Sequence, residues 1–213
     1  MTTTELPATP PVRRAPERRR GRAAAGLHVV VGLALAAGAI WVQSFDLTGD
    51  EQAMPLTYVG AKGEDVDAGR FSVRVDKVST AKAVKALDDT VATDQLFLVV
   101  DAAATSPRTP LHLGMPTLLT ADGRRFAATD KVNKDSTLAY YWIQPGWWSK
   151  GRFVFEVPAS ALPGAQAVFG LPVAGLYTEP LPPEAQIDLG IDDATAERLS
   201  SAPAEIFDLN EKP

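Results

Sequence analysis

The sequence predicts an all-β protein, an antiparallel β-sandwich preceded by one transmembrane α-helix. Three observations support this prediction. An apolar run of 20 residues follows an arginine-rich N-terminus and precedes an acidic stretch. Beyond about residue 55, short segments alternate apolar and polar residues, as half-buried strands do, and Pro and Gly residues separate them. No sustained helical period lies between these segments, which argues against a parallel α/β sheet.

The predicted membrane span is Ala23–Val42, in which His28 is the only residue that is not apolar. At about 1.5 Å per residue, a helix of this length crosses the hydrocarbon core of a bilayer. Residues 1–22, predicted to be a disordered tail, hold six arginines and two glutamates, a net charge of +4. The positive-inside rule therefore places the N-terminus in the cytoplasm and the bulk of the chain outside the cell.

A cleaved signal peptide is the main alternative to this single-pass anchor. Small-x-small sites occur at Ala34-Leu35-Ala36 and at Ala37-Gly38-Ala39. Cleavage at either site would cut within the apolar run and release a secreted protein. With the anchor retained, residues 43–55 form a linker to the outer domain.

Composition excludes several classes of function. The whole chain carries −5, so the part beyond the +4 tail carries −9, and such a body would repel nucleic-acid phosphates. The chain contains no cysteine, which excludes disulfides, thiolate metal sites, a nucleophilic thiol and a lipid anchor on cysteine.

The sequence indicates no catalytic, cofactor or metal site. His112 is the only histidine outside the predicted span, and no Gly-x-Ser-x-Gly, HExxH or phosphate-loop motif is present. Two acidic groups lack the spacing of a calcium loop, namely Asp46, Asp50 and Glu51 in the linker and Asp188, Asp192 and Asp193 near the C-terminus. We therefore predict that the protein is not an enzyme, and we identify no small-molecule substrate.

The predicted sandwich covers residues 56–178. Its strands are expected at 71–76, 95–103, 117–120, 124–127, 152–157 and 167–170, with a hairpin turn at Asp122-Gly123. The run 95–103 is expected to be buried on both faces, and residues 79–89 are expected to form a helical turn or a loop. Residues 179–213 are predicted to be a Pro-rich acidic extension with a short strand at 186–189 and a helix over 194–199, capped by Asp192 or Asp193.

An ordered series of segments resembles a known family. The series is Gly69–Val73, Gln95–Asp101, Asp122–Arg124, and Pro145-Gly146 followed by Gly151–Pro158. In this order the segments resemble the bacterial extracellular immunoglobulin-like domains of unknown function that are related to the small secreted mycobacterial immunoprotective antigen. The resemblance covers about residues 57–170. The chain departs from it at 101–105, where the family usually has an Asn-bearing turn. The resemblance implies an immunoglobulin-like sandwich, often tethered to a membrane, with no enzymatic activity and no agreed ligand.

The most unusual segment is Tyr140–Trp148, which holds three of the four tryptophans and two of the four tyrosines. These aromatic side chains either form a contact surface for a protein, a cell-wall glycan or the membrane, or fill the core of the sandwich. Adjacent residues on a strand face opposite ways, so Trp147 and Trp148 cannot both point into one core. We predict that at least one of them is exposed, and that Tyr141, Trp142, Trp147 and Trp148 contact a partner.

The leading functional hypothesis is a non-enzymatic, membrane-anchored extracellular domain that contacts another protein or belongs to a membrane complex. Three alternatives stay open, namely a module that binds a small ligand or a cell-wall glycan, a secreted protein, and an enzyme with an unrecognised carboxylate pair. An exposed aromatic surface favours a binding module. A deep pocket with paired carboxylates would favour an enzyme.

Overall fold

The structure is a computed structural model that describes residues 31–38, 41, 54–172 and 179–211. The chain divides into two units, Met1–Leu47 and Thr48–Pro213. In the first unit, residues 31–38 and 41 are helical. Within the described residues, no helix combines the length and the apolar character that a membrane crossing requires. The predicted tail and the remainder of the predicted span lie outside the described residues.

The described part of the second unit contains ten β-strands and is a β-sandwich. In chain order they are β1 (Leu56–Ala61), β2 (Val66–Asp67), β3 (Ser72–Ala86), β4 (Asp89–Thr105), β5 (Thr117–Leu119), β6 (Arg125–Ala127), β7 (Ser149–Val157), β8 (Gln166–Gly170), β9 (Pro183–Asp188) and β10 (Phe207–Asp208). One sheet has the order β1-β9-β8-β5-β6, and the other has the order β10-β3-β4-β7 with β2 also paired to β3. The predicted sandwich is confirmed, and all six predicted strands overlap observed ones.

The predicted helical turn or loop at 79–89 is wrong, because β3 continues to Ala86 and pairs with β4. The register between these strands shifts twice, between Val75 and Lys77 and between Ala81 and Ala83. Each shift interrupts the two-residue alternation, so that Asp76 and Lys77 are both exposed at the first shift and Ala83 and Val84 are both buried after the second. A period-two pattern is therefore lost although the strand persists.

The expectation of a wholly antiparallel sandwich is wrong for two strand pairs. β1 pairs with β9 in parallel, and β10 pairs with β3 in parallel. Parallel neighbours need a long connection. Each of these pairs joins strands that are more than a hundred residues apart in the chain, so local turn signals carry no information about their direction.

The main core lies between the two sheets. Its largest fully buried side chains include Phe71, Phe153, Phe155, Phe169 and Ile187. A smaller cluster contains Val84, Phe97, Val99, Val132, Val154 and Leu209. Because alternate residues of β4 belong to the two clusters, this strand is buried on both faces, as its continuous apolar run predicts.

The C-terminal region supplies both the strand and the helix that the sequence predicts. β9 lies between β1 and β8 in the first sheet, and Ala185 and Ile187 on it are fully buried. Helix α1 spans Asp193–Ser201. Its N-cap is Asp192, whose carboxylate accepts a hydrogen bond of 2.7 Å from the backbone N–H of Thr195. Residues 183–188 are thus an internal part of the sandwich.

Candidate functional site: an exposed aromatic surface

Two short 3-10 helices lead into the aromatic segment. They span Lys134–Ser136 and Leu138–Tyr140. Leu138 and Ala139 are fully buried, and so is Ile143 a few residues later. The backbone of Ile143 exchanges two hydrogen bonds with that of Leu111, of 2.8 and 3.1 Å. These small and aliphatic residues attach the segment to the core, which leaves the aromatic side chains between them on the outside.

All five aromatic side chains of the segment are exposed. Trp147 is 76% exposed, Trp142 59% and Trp148 37%, and about half of Tyr140 and of Tyr141 is accessible. We call these five residues the aromatic surface. The exposure predicted for at least one of Trp147 and Trp148 is therefore present, and the alternative that the aromatic side chains fill the core is wrong. Contact with a partner stays a prediction.

Several rings of the aromatic surface are held by neighbours. The rings of Trp142 and His112 lie 4.1 Å apart between centroids, at an interplanar angle of 48°. Tyr140 and Tyr141 make an edge-to-face contact with centroids 5.7 Å apart. Such contacts stabilise aromatic pairs and restrict the orientation of the rings in the unbound protein.

Trp148 is the least exposed of the three tryptophans because Arg74 covers it. The Arg74 guanidinium carbon lies 5.1 Å from the ring centroid, a cation–π distance. Arg74 donates hydrogen bonds to Asp76 (2.6 Å) and Asp65 (2.9 Å), and the bond to Asp76 is the main cause that raises the pKa of Arg74. Trp147 has no ring contact or cation–π contact within the described chain, and its indole is the most accessible.

An open groove runs along one side of the aromatic surface. It has a volume of about 500 Å³ and is lined by His112, Lys134, Tyr140, Tyr141, Trp142 and Pro172. The His112 Nδ1 atom is buried and has no hydrogen-bond partner among the residues that the structure describes. We call this cavity the aromatic groove.

A second, smaller groove of about 390 Å³ shares Tyr141 and reaches Arg152. Arg152 is buried and donates a hydrogen bond of 2.8 Å to Asp101. It also donates to the backbone carbonyl groups of Leu209 and Glu211, and its guanidinium lies over the ring of Phe207. Through these contacts, Arg152 holds residues 207–211 against the second sheet.

The acidic groups noted in the sequence have local structural roles. Asp188 accepts a hydrogen bond from the backbone N–H of Gly190, and Asp192 caps α1. The hydrogen bond from Thr195 lowers the pKa of Asp192. In the described ranges, no three His, Cys, Asp or Glu side chains are grouped so that they could hold a metal ion. Asp46, Asp50 and Glu51 lie outside the described residues.

Sequence reasoning found the aromatic residues but missed the residues that support them. His112 and Arg74 join the surface from distant points in the chain, and Lys134 joins it from the 3-10 helix just before the segment. No local motif connects His112 with Trp142, since they come together through the pairing of Leu111 with Ile143. The only indication in the sequence was that each of these two residues has an apolar neighbour, Leu111 beside His112 and Ile143 beside Trp142.

Comparison with known proteins adds information on the fold. No family model matches the chain. A search of curated proteins also finds no match.

Three solved structures are similar. The yjhA protein from Bacillus subtilis is 13% identical, with 61% of this chain and 99% of that chain covered and a TM-score of 0.46. An uncharacterised β-sandwich protein from Clostridium difficile is 10% identical, with 63% and 95% covered and a TM-score of 0.39. MPT63, a secreted protein from Mycobacterium tuberculosis, is 18% identical, with 64% and 98% covered and a TM-score of 0.43.

The uncharacterised β-sandwich protein and the secreted mycobacterial protein are the kind of neighbour that the sequence resemblance predicts. At these identities the likeness concerns the fold alone.

Proposed function

We propose that this chain is an exported, non-enzymatic binding module, anchored in the cell membrane by its N-terminal segment, that contacts a protein partner through the aromatic surface. The observation that carries the proposal is the exposure of five neighbouring aromatic side chains on a segment fixed by buried Leu138 and Ile143. Tryptophan and tyrosine provide much of the binding energy at protein interfaces. A rigid support lowers the entropy lost on binding.

Trp147 is the central residue of the proposed contact with the partner. Trp147 combines the greatest exposure with a position beside Trp148, whose orientation Arg74 fixes. We infer that Trp147 inserts into the partner, with Trp148 beside it. The proposal assigns no catalytic residue, no cofactor and no nucleic-acid partner.

A binding experiment with the full-length protein in detergent tests this function. Proteins that copurify from the native membrane would be identified, purified and titrated against the wild type and Trp147→Ala. We expect Trp147→Ala to weaken binding at least about thirtyfold, since truncation of a central aromatic residue at a hot spot costs about 2 kcal/mol or more. Ile206→Ala is the matched control, because Ile206 is exposed and lies outside the aromatic surface.

Two results would contradict the protein-binding proposal. One is equal binding by the wild type and Trp147→Ala. The other is an equal loss in Trp147→Ala and Ile206→Ala, which would indicate non-specific hydrophobic adsorption.

The membrane anchor is supported by the charge asymmetry and length of Ala23–Val42. It places the N-terminus in the cytoplasm and the sandwich outside. Blotting of membrane and medium fractions with a C-terminal tag tests the anchor, and full-length protein is expected in the membrane fraction. A shortened product in the medium would instead show cleavage near Ala36 or Ala39, and the module would be a secreted protein.

A further inference from the structure

We propose that the aromatic groove is a binding site for an acidic saccharide, with the sugar ring on Trp142 and its carboxylate on Lys134. This inference goes beyond the proposed function and does not depend on it. It uses the groove side of the aromatic surface, whereas Trp147 does not line the groove.

The rings that line the groove suit the face of a pyranose. A pyranose presents a flat patch of C–H bonds on one side and hydroxyl groups around its rim. Trp142 offers a large, half-open ring whose orientation is set by His112, at a centroid distance of 4.1 Å. Tyr140 and Tyr141 line the same groove and present hydroxyl groups that can hydrogen-bond the rim.

The charge of the groove selects an anion. Among the described residues, its lining contains Lys134 and no acidic side chain. Within the same part of the chain, Lys134 makes no ion pair with a carboxylate. A sugar that carries a carboxylate matches both the rings and the charge.

The dimensions of the groove suit a small ligand. A volume of about 500 Å³ is in the range of small-ligand sites, which hold one or two sugar rings.

Saturation-transfer NMR on the full-length protein in detergent tests the proposal, because it detects weak binding and reports which ligand protons lie against aromatic rings. The probes are methyl glucuronide and methyl glucoside, which differ only in the carboxylate. We expect saturation of the C–H protons of both sugars and about fivefold tighter binding of the glucuronide, the factor expected from one exposed ion pair.

Two variants test separately the contact of the sugar ring with Trp142 and the contact of its carboxylate with Lys134. Trp142→Ala should weaken binding of both sugars about tenfold. Lys134→Gln should retain the glucoside and lose the preference for the glucuronide. Ile206→Ala is the control and should bind both sugars as the wild type does, because Ile206 is exposed and does not line the groove.

Three outcomes would overturn the proposal. The first is no saturation transfer to either sugar from the wild type. The second is unchanged transfer in Trp142→Ala, which would place the sugar elsewhere. The third is binding of vesicles with anionic phospholipid that depends on Lys134 and is not reduced by the glucuronide, which would assign the site to a lipid headgroup.

Discussion

At the scale of single residues, Glu156 is the clearest electrostatic feature of the sandwich. Its carboxylate accepts hydrogen bonds from Lys131, at 2.8 Å, and from Thr93. The bond from Lys131 and then that from Thr93 lower the pKa of Glu156 below its ordinary 4.5, against the opposing effect of burial. Since the folded state favours the ionised form, Glu156 stabilises the fold above the ordinary pKa, and this stabilisation is lost as the pH falls through the lowered pKa.

Glu156→Gln should therefore lower the free energy of unfolding near neutral pH, by about 1 kcal/mol or less because Lys131 is partly exposed. The difference from the wild type should shrink as the pH falls below the lowered pKa. Urea denaturation across an acid pH series measures both effects. Asp94→Asn, an exposed acid with no ion pair in the described chain, is the control and should behave as the wild type at every pH. If the free energy of unfolding of Glu156→Gln differed from that of the wild type by the same amount at every pH, ionisation of Glu156 would not be the cause of the difference.

The sequence predicted the exposure of individual aromatic residues only in part. Adjacent tryptophans indicated that at least one is exposed, since neighbouring side chains on a strand point in opposite directions. They did not indicate that all are exposed. That outcome depends on Leu138 and Ile143, which occupy the core positions of the segment.

At the scale of elements, β7 and the second 3-10 helix are in close contact at Gly151. A Cβ atom on this residue would lie 2.8 Å from Cβ and 3.0 Å from Cα of Leu138. Leu138 is fully buried, so its displacement would move the second 3-10 helix, which also carries Tyr140 of the aromatic surface. Gly151 thus sets the distance between a sheet and the support of the candidate site.

Gly151→Ala should destabilise the protein by about 1–3 kcal/mol through overpacking. It should also weaken partner binding, because displaced Leu138 shifts Tyr140 and Tyr141. Chemical denaturation and the binding titration measure the two effects. Gly170→Ala on β8 is the matched control, since its nearest atom would be the Pro183 carbonyl oxygen at 3.8 Å, an ordinary contact. Equal stability of the two variants would refute the close contact.

Element type was predictable where the side-chain pattern was regular. β7 and β8 were recognised from alternation and short apolar runs, and the cap of α1 was predicted at Asp192 or Asp193 and lies at Asp192. The second half of β3 was missed because the register shifts after Val75 and Ala81 break the alternation. Such shifts are set by the paired strand and leave no local mark.

At the scale of the whole molecule, the sandwich is completed by its C-terminal part. β9 lies inside the first sheet, with β1 on one side and β8 on the other. Neither pairing could be derived from the sequence, because β1 is adjacent in space to a strand at the far end of the chain. The sequence-based boundary at residue 178 therefore falls ahead of a strand that the first sheet contains.

A chain that ends at residue 178 should fail to fold cooperatively. It would expose β8 and lose the buried side chains of Ala185 and Ile187. A chain that ends at residue 202 is the control. It keeps β9 and α1 but lacks β10, the bridge of Ala204 to Ala81, the carbonyl partners of Arg152 and the buried Leu209, and should keep a cooperative but lower melting transition. Near-UV circular dichroism during heating distinguishes them, and a cooperative transition in the shorter chain would contradict this account.

The pairing of β1 with β9 also determines how the module carries load. Tension that enters through the chain before Met54 pulls on β1 along its own axis, and six register pairs connect this strand to β9 in parallel. Such tension loads the ladder in shear, so that its hydrogen bonds resist together instead of opening one after another. In a module tethered through the residues before Met54, β1 is therefore a mechanically suitable attachment point.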